Sequence, residues 1–413
     1  MKKRIVTLVV IILLMGGFLM GCGDAHSVFE EGNELARRGE YEQALEKYEE
    51  ALEINPDLAE AHNNAGNIYL LKNDFAQARA RYEKVIELDP EHAKAYANLG
   101  NVALQQGNLS RAIEHYREAL NIDSQLPMAH YNLGNAFNRL RVYDRAQDHY
   151  ETVLAQNPNH YKARYRLATV KASLGEHEEA ARLFDEALQI NSEDPDLQNE
   201  VGRFYLNRGD FTQAREHLQK ALEIEPAFGP AHHNLGLVYY HEDNLQRARE
   251  HYENAMRVDP EDSQLRSDYG LALYEAGNHD EAYDQFTVAV RIDPQNASAH
   301  YNLAMLYEDM GRFEDAISHY ERVISLNDNH VKALNNLGLL VMNYYQDFES
   351  ALDHFDQALE VDPYFEMALL NRGIAELELG RGEEARQSFE EVLTLVSDDS
   401  SLAQQARELL ERI

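Results

Sequence analysis

Residue types capable of chemistry recur at fixed spacings along this chain. His115, His149, His217, His251, His319 and His354 hold one recurring place. Asn64, Asn98, Asn132, Asn234, Asn302, Asn336 and Asn371 hold a second, and Asn33, Asn67, Asn101 and Asn135 a third. Lys162 and Arg166 stand one helical turn apart. Imidazoles carry protons or bind metal. An amide donates and accepts at once, so a ladder of asparagines can pair with the backbone of an extended peptide whatever its sequence. Adjacent cations grip a carboxylate through charge-assisted hydrogen bonds.

Other chemistry is not offered. There is no Gly-x-x-x-x-Gly-Lys-Ser/Thr phosphate loop and no Gly-x-Ser-x-Gly elbow. The 18 histidines never fall three or four residues apart, so no helix carries a His-x-x-x-His pair. Equivalent histidines in stacked elements lie more than a helix diameter apart, which predicts surface or inter-repeat packing and no metal or cofactor. The acids cluster near helix starts, where they complement helix dipoles; nothing suggests an enclosed site that would raise a carboxyl pKa. A non-enzymatic protein is expected.

The elements that must position these residues follow a 34-residue period. A small residue returns at Gly32, Gly66, Gly100, Gly134, Ala168, Gly202, Gly236, Gly270, Ala304, Gly338 and Gly373. Twelve residues later comes an alanine, from Ala44 to Ala385, and four after that an aromatic or leucine, from Tyr48 to Phe389. Prolines such as Pro56, Pro90 and Pro158 close most units, and glycines such as Gly39 and Gly107 can end the first helix of each. The spacing predicts helical hairpins whose members approach closely at the small residues, with the aromatic filling the gap.

This order resembles the tetratricopeptide repeat, in eleven units: 25–58, 59–92, 93–126, 127–160, 161–194, 195–228, 229–262, 263–296, 297–330, 331–365 and 366–399. The resemblance implies an all-α fold, a right-handed superhelix (α-solenoid) of about eleven hairpins over 25–399. Residues 400–413 read as a C-terminal capping helix, with Leu402, Ala406, Leu409 and Ile413 on one face. The family's usual tryptophan at the fourth place is replaced by residues such as His62, Tyr96, His130, His232 and His300. An extra residue at Tyr344-Tyr345-Gln346-Asp347 and a displaced Pro195 are the irregularities, and no linker interrupts the array.

In that family the first helix of each hairpin lines the concave face, so the asparagines at the sixth and ninth places are expected to contact peptide: Asn33, Asn64, Asn67, Asn98, Asn101, Asn132, Asn135, Asn234, Asn302, Asn336 and Asn371. The bland alternative is that they satisfy neighbouring helices. From the seventh unit the ninth place turns apolar, at Leu237, Leu271, Met305, Leu339 and Ile374, and these residues can equally pack on the adjacent hairpin. Asn101, Asn132, Lys162 and Arg166 match four of the five places of the carboxylate clamp of chaperone-adaptor tetratricopeptide domains; Ala97 stands where the first lysine belongs. Ion pairing of these cations with nearby acids is the competing account.

At the start of the chain, Lys2-Lys3-Arg4 precede an apolar run from Ile5 to Met15, then Leu19-Met20-Gly21-Cys22. That order is secretory, and the run is short for a span of ~20 residues. Its end resembles the lipobox of bacterial lipoproteins, which implies a signal peptide over 1–21, lipidation of Cys22, and a short linker over 22–24; an uncleaved anchor is the alternative. Cys22 is the only cysteine, so no intrachain disulfide or cysteine zinc site can form. Composition fits a folded body: 44% hydrophobic and 9% aromatic. The net charge of −34 would repel a phosphate backbone, so nucleic-acid binding is not expected.

The expectation is a non-catalytic, lipid-anchored scaffold of the bacterial envelope, on the periplasmic face of the outer membrane. It would hold an extended peptide or protein partner and assist assembly of an envelope, secretion or pilus complex. A regulatory or substrate-presenting subunit of a separate glycosyltransferase or cell-wall enzyme is the rival, and self-association through an end repeat stays open.

Overall fold

The computed structural model describes residues 25–413. They are all helical, with no strand among the described residues, and they fall into two compact units that divide between Ser192 and Glu193, beside the displaced Pro195. The first unit begins with helices over 25–37 and Tyr41–Ile54 and continues through hairpins such as Ala93–Gln105 with Leu109–Ile122, ending at His177–Ile190. The second runs from Pro195–Asn207 to Gly382–Leu395 and closes with Ser401–Leu410. The hairpin boundaries follow the 34-residue frame, and this is the paired-helix architecture of tetratricopeptide solenoids.

Local chemistry starts and stops each helix. Asp74, Asn108, Asp210 and Asn244 cap second helices by accepting the backbone N–H three residues on. The turn between the two helices needs one left-handed residue, supplied by Gly107 at φ 76° and, where glycine is missing, by Arg141 at φ 58°.

Packing explains the period. Ala112, Ala146 and Ala180 are completely buried, as are the rings of Tyr82, Tyr116 and Tyr150. A methyl added to Gly134 would stand 2.6 Å from Cε1 of Tyr150, so the small residue is what admits the ring of its own hairpin. Within each unit, second helices also pack on the first helix that follows them, and first helices touch neighbouring first helices. These side-by-side first helices form a wall.

The extra residue in the tenth hairpin is absorbed inside a helix. Val331–Leu340 continues into a π-helical turn, Val341–Tyr345, and Gln346 then takes the left-handed turn at φ 55°. The insertion lengthens one helix end while the buried Gly338–Phe355 contact keeps its register. At the C-terminus Ser400 caps Ser401–Leu410, whose Ala403 and Ala406 are buried; Ala406, Leu402 and Leu409 pack against the Phe389 and Val392 cluster.

Candidate functional site

In the first unit the expected asparagines meet across hairpins. Tyr48, Tyr82, Tyr116 and Tyr150 each donate a hydroxyl hydrogen bond of 2.8 Å to Oδ1 of Asn33, Asn67, Asn101 and Asn135. The amide of Asn64 donates to the same oxygen of Asn33, and that of Asn132 to Asn101, both at 2.8 Å; Asn98 reaches Asn67 at 3.4 Å and Asn63 at 3.2 Å. One oxygen thus satisfies a buried phenol and ties two hairpins together. Burial pushes the Tyr82 and Tyr116 phenols well above their ordinary range, which keeps them donors.

The consequence for a ligand is polarity. Both lone pairs of Asn33, Asn67 and Asn101 are taken by the fold, so these side chains have N–H groups left to offer. A groove of about 530 Å³ opens on this row, lined among others by Asn33, Asn64, Asn67, Arg37, Tyr41 and Leu71. Asn67 is exposed, and Asn64, Asn98, Asn101, Asn132 and Asn135 are half-buried.

Of the four clamp residues, Asn101 and Asn132 are hydrogen-bonded to each other. Arg166 takes the ladder place held by Asn64, Asn98 and Asn132 in earlier hairpins. Its guanidinium lies 5.0 Å over the Tyr165 ring and close enough to Tyr150 to oppose the upward push of burial on that phenol. Lys162 lies 6.0 Å over the Tyr161 ring. Both cations are half-buried on the helix Tyr161–Ser173.

The second unit uses its asparagines differently. Asn234 donates to Asn199 at 2.9 Å, Asn302 to Ser267 at 3.2 Å and Asn371 to Asn335 at 2.9 Å, and all three are buried between hairpins. Asn336 is half-buried and donates to the hydroxyl of Tyr320 at 3.2 Å and of Tyr301 at 3.4 Å. Leu237, Leu271 and Met305 lean on the core of this unit. The wall carries tyrosine and carboxylate instead: Tyr240 donates to Glu275 at 2.6 Å, Tyr274 donates to Asp309, and His233 Nε2 meets Asp268 at 2.8 Å. Burial and the Asp309 carboxylate push Tyr274 up to about 12.

Four of the recurring histidines, His149, His217, His251 and His319, meet the first helix of their own hairpin, while His115 meets Glu118 on its own helix. Nδ1 of His130 meets Nδ1 of His149 at 2.9 Å, His232 meets His251 at 3.0 Å, and His300 meets His319 at 2.8 Å. In the first pair, His130 Nε2 donates to the Ser124 carbonyl at 3.1 Å, an arrangement in which a neutral ring leaves its Nδ1 to accept from His149. Burial, then the partner imidazole, lowers His149, His251 and His319 to about 4. These are packing pairs within a hairpin. His217 makes the same contact with Gln198 at 2.8 Å. The offset of 19 residues was readable in the sequence, as were the 15-residue tyrosine–asparagine and 35-residue tyrosine–carboxylate offsets; each is meaningful only once two helices are laid side by side. Among the described residues no group of three or more histidines, cysteines, aspartates or glutamates could hold a metal ion. Cys22 and the segments 1–21 and 22–24 lie outside the described residues.

Comparison with known proteins agrees on architecture. A family model described as the C-terminal domain of cilia and flagella-associated protein 70 matches residues 23–268, and tetratricopeptide-repeat models match 270–311, 295–363 and 346–400. An uncharacterized protein of Methanocaldococcus jannaschii is 44% identical over 43 residues, which is 10% of this chain and 50% of that protein; the match thus spans about half the length of the relative. The human IFIT1 dimer with m7Gppp-AAAA is similar at 20% identity, with 90% of each chain covered and a TM-score of 0.59. The APC/C hetero-tetramer Cut9-Hcn1 is similar at 14% identity, covering 97% of this chain and 98% of that one, with a TM-score of 0.55. At these identities the two structures speak to the fold alone.

Proposed function

This chain belongs to the tetratricopeptide-repeat family, with residues 23–268 matching the family of the cilia and flagella-associated protein 70 C-terminal domain, and on that premise we propose that it is a non-catalytic scaffold binding extended segments of partner proteins along its first-helix walls. The observation that carries this reading is the row of asparagine N–H groups in the first unit, whose oxygens are already committed to the fold. Donors spaced by one hairpin suit the carbonyls of an extended chain irrespective of its side chains. Asn101, Asn132, Lys162 and Arg166 place two amides and two cations along the same row, suited to a terminal carboxylate.

The N-terminal charge, apolar run and Leu19-Met20-Gly21-Cys22 support export and lipid attachment at Cys22 in a bacterial envelope, with the acidic body held off an anionic membrane surface. A photo-crosslinking residue in place of Asn67 tests the wall. The expected product joins it to an unstructured segment of an envelope protein, identified from the crosslinked peptide. Crosslinks from an outer second-helix position such as Glu83 with none from Asn67 would dismiss it.

A further inference from the structure

The two walls have opposite hydrogen-bonding character, and the second has features that the fold does not use up. Tyr240 and Tyr274 each donate to a carboxylate of the next hairpin, Glu275 and Asp309 respectively. Among the described residues neither carboxylate is paired with a lysine or arginine. In this unit Arg249 pairs with Glu253 and Glu281, and Arg312 with Asp315. A carboxylate holding one phenol keeps the rest of its acceptor capacity and its full charge.

A second observation is independent of these acids. Tyr252 occupies the place of Tyr48, Tyr82, Tyr116 and Tyr150, whose hydroxyls all reach an asparagine of their own first helix. The corresponding residue of its hairpin is Leu237. Fully buried, the Tyr252 hydroxyl has no hydrogen-bond partner among the described residues, and the titratable groups that act on it are the Asp268 carboxylate and the neutral Tyr240 phenol of this same wall. An orphaned buried hydroxyl is destabilising. A donor arriving at Asp268 would give its oxygen a partner.

From these features we propose that the first-helix wall around Tyr240, Tyr252, Asp268, Glu275, Tyr274 and Asp309 binds an extended basic peptide, one lysine or arginine per hairpin. Each rung offers a carboxylate for the cation and an aromatic face beside it. Charge complementarity favours such a partner, since the chain carries −34. Neighbouring first helices pack roughly 8–10 Å apart, and an extended chain advances about 3.3 Å per residue, so successive rungs meet every third residue of the ligand.

This inference rests on the peptide-scaffold reading and specifies the partner for one wall. The test uses the full chain in detergent and four labelled peptides of equal length: lysine at every third position, lysine at every second, glutamate at every third and glutamine at every third. Anisotropy should show the first bound most tightly, and Glu275→Gln with Asp309→Asn should weaken it at least tenfold. Tyr252→Phe should also lower its affinity while leaving thermal stability unchanged or raised, a combination that a structural role cannot produce. Equal binding of the glutamine or glutamate peptide, or of lysine at every second position, or indifference to Glu275→Gln with Asp309→Asn, overturns the basic-peptide assignment and leaves the scaffold standing. Absence of all binding together with absence of crosslinks from Asn67 overturns both.

Discussion

At the residue scale, one atom often serves two hairpins. Oδ1 of Asn101 accepts from Tyr116 and from Asn132, each at 2.8 Å. Asn101→Ala removes the acceptor and strands a buried phenol, so it should destabilise the third and fourth hairpins by about 1–3 kcal/mol. Hydrogen exchange resolved by segment is the suitable measurement, because repeat arrays lose cooperativity and one global midpoint would blur the effect. Gly134→Ala should cost a similar ~1–3 kcal/mol by overpacking, since the new methyl meets the Tyr150 ring. Arg141→Gly works the other way: its left-handed backbone costs an L-residue about 1–2 kcal/mol, and slower hydrogen exchange in the fourth hairpin is expected.

At the element scale, the histidine pairs link hairpin packing to pH. His149, His251 and His319 are held near pKa 4 in the fold, against about 6.5 in the unfolded chain. As pH falls below about 6.5 the unfolded chain takes up protons that the fold refuses, so stability drops from there down to about 4 and is level above. A melting series across that window should show the slope, and His149→Gln with His251→Gln and His319→Gln should flatten it; glutamine already serves opposite His217 at Gln198. The sequence displayed the histidines as a row on second helices. Their partners lie on first helices 19 residues upstream, and burial by the partner ring, which decides their titration, belongs to neither helix alone.

For the whole molecule, the proposed attachment and binding sites lie apart along the chain. Lipid attachment predicts that labelled palmitate enters the full protein and not Cys22→Ser, and that the variant leaves the membrane fraction. The repeat could be read from the sequence in full: 34-residue spacing, small residue against ring, and an acidic surface are local or periodic facts, and periodicity survives without coordinates because every hairpin solves the same packing problem. What each asparagine does could not be read that way. Asn67 and Asn371 have the same residue type at related places, yet one is exposed with its oxygen satisfied by a tyrosine and the other is buried against Asn335. Tyr252 looks like Tyr150 in sequence, yet its buried hydroxyl finds no partner among the described residues. Hydrogen-bond capacity left for a ligand is a remainder after the fold has taken its share, and that remainder is set by neighbours brought together in space.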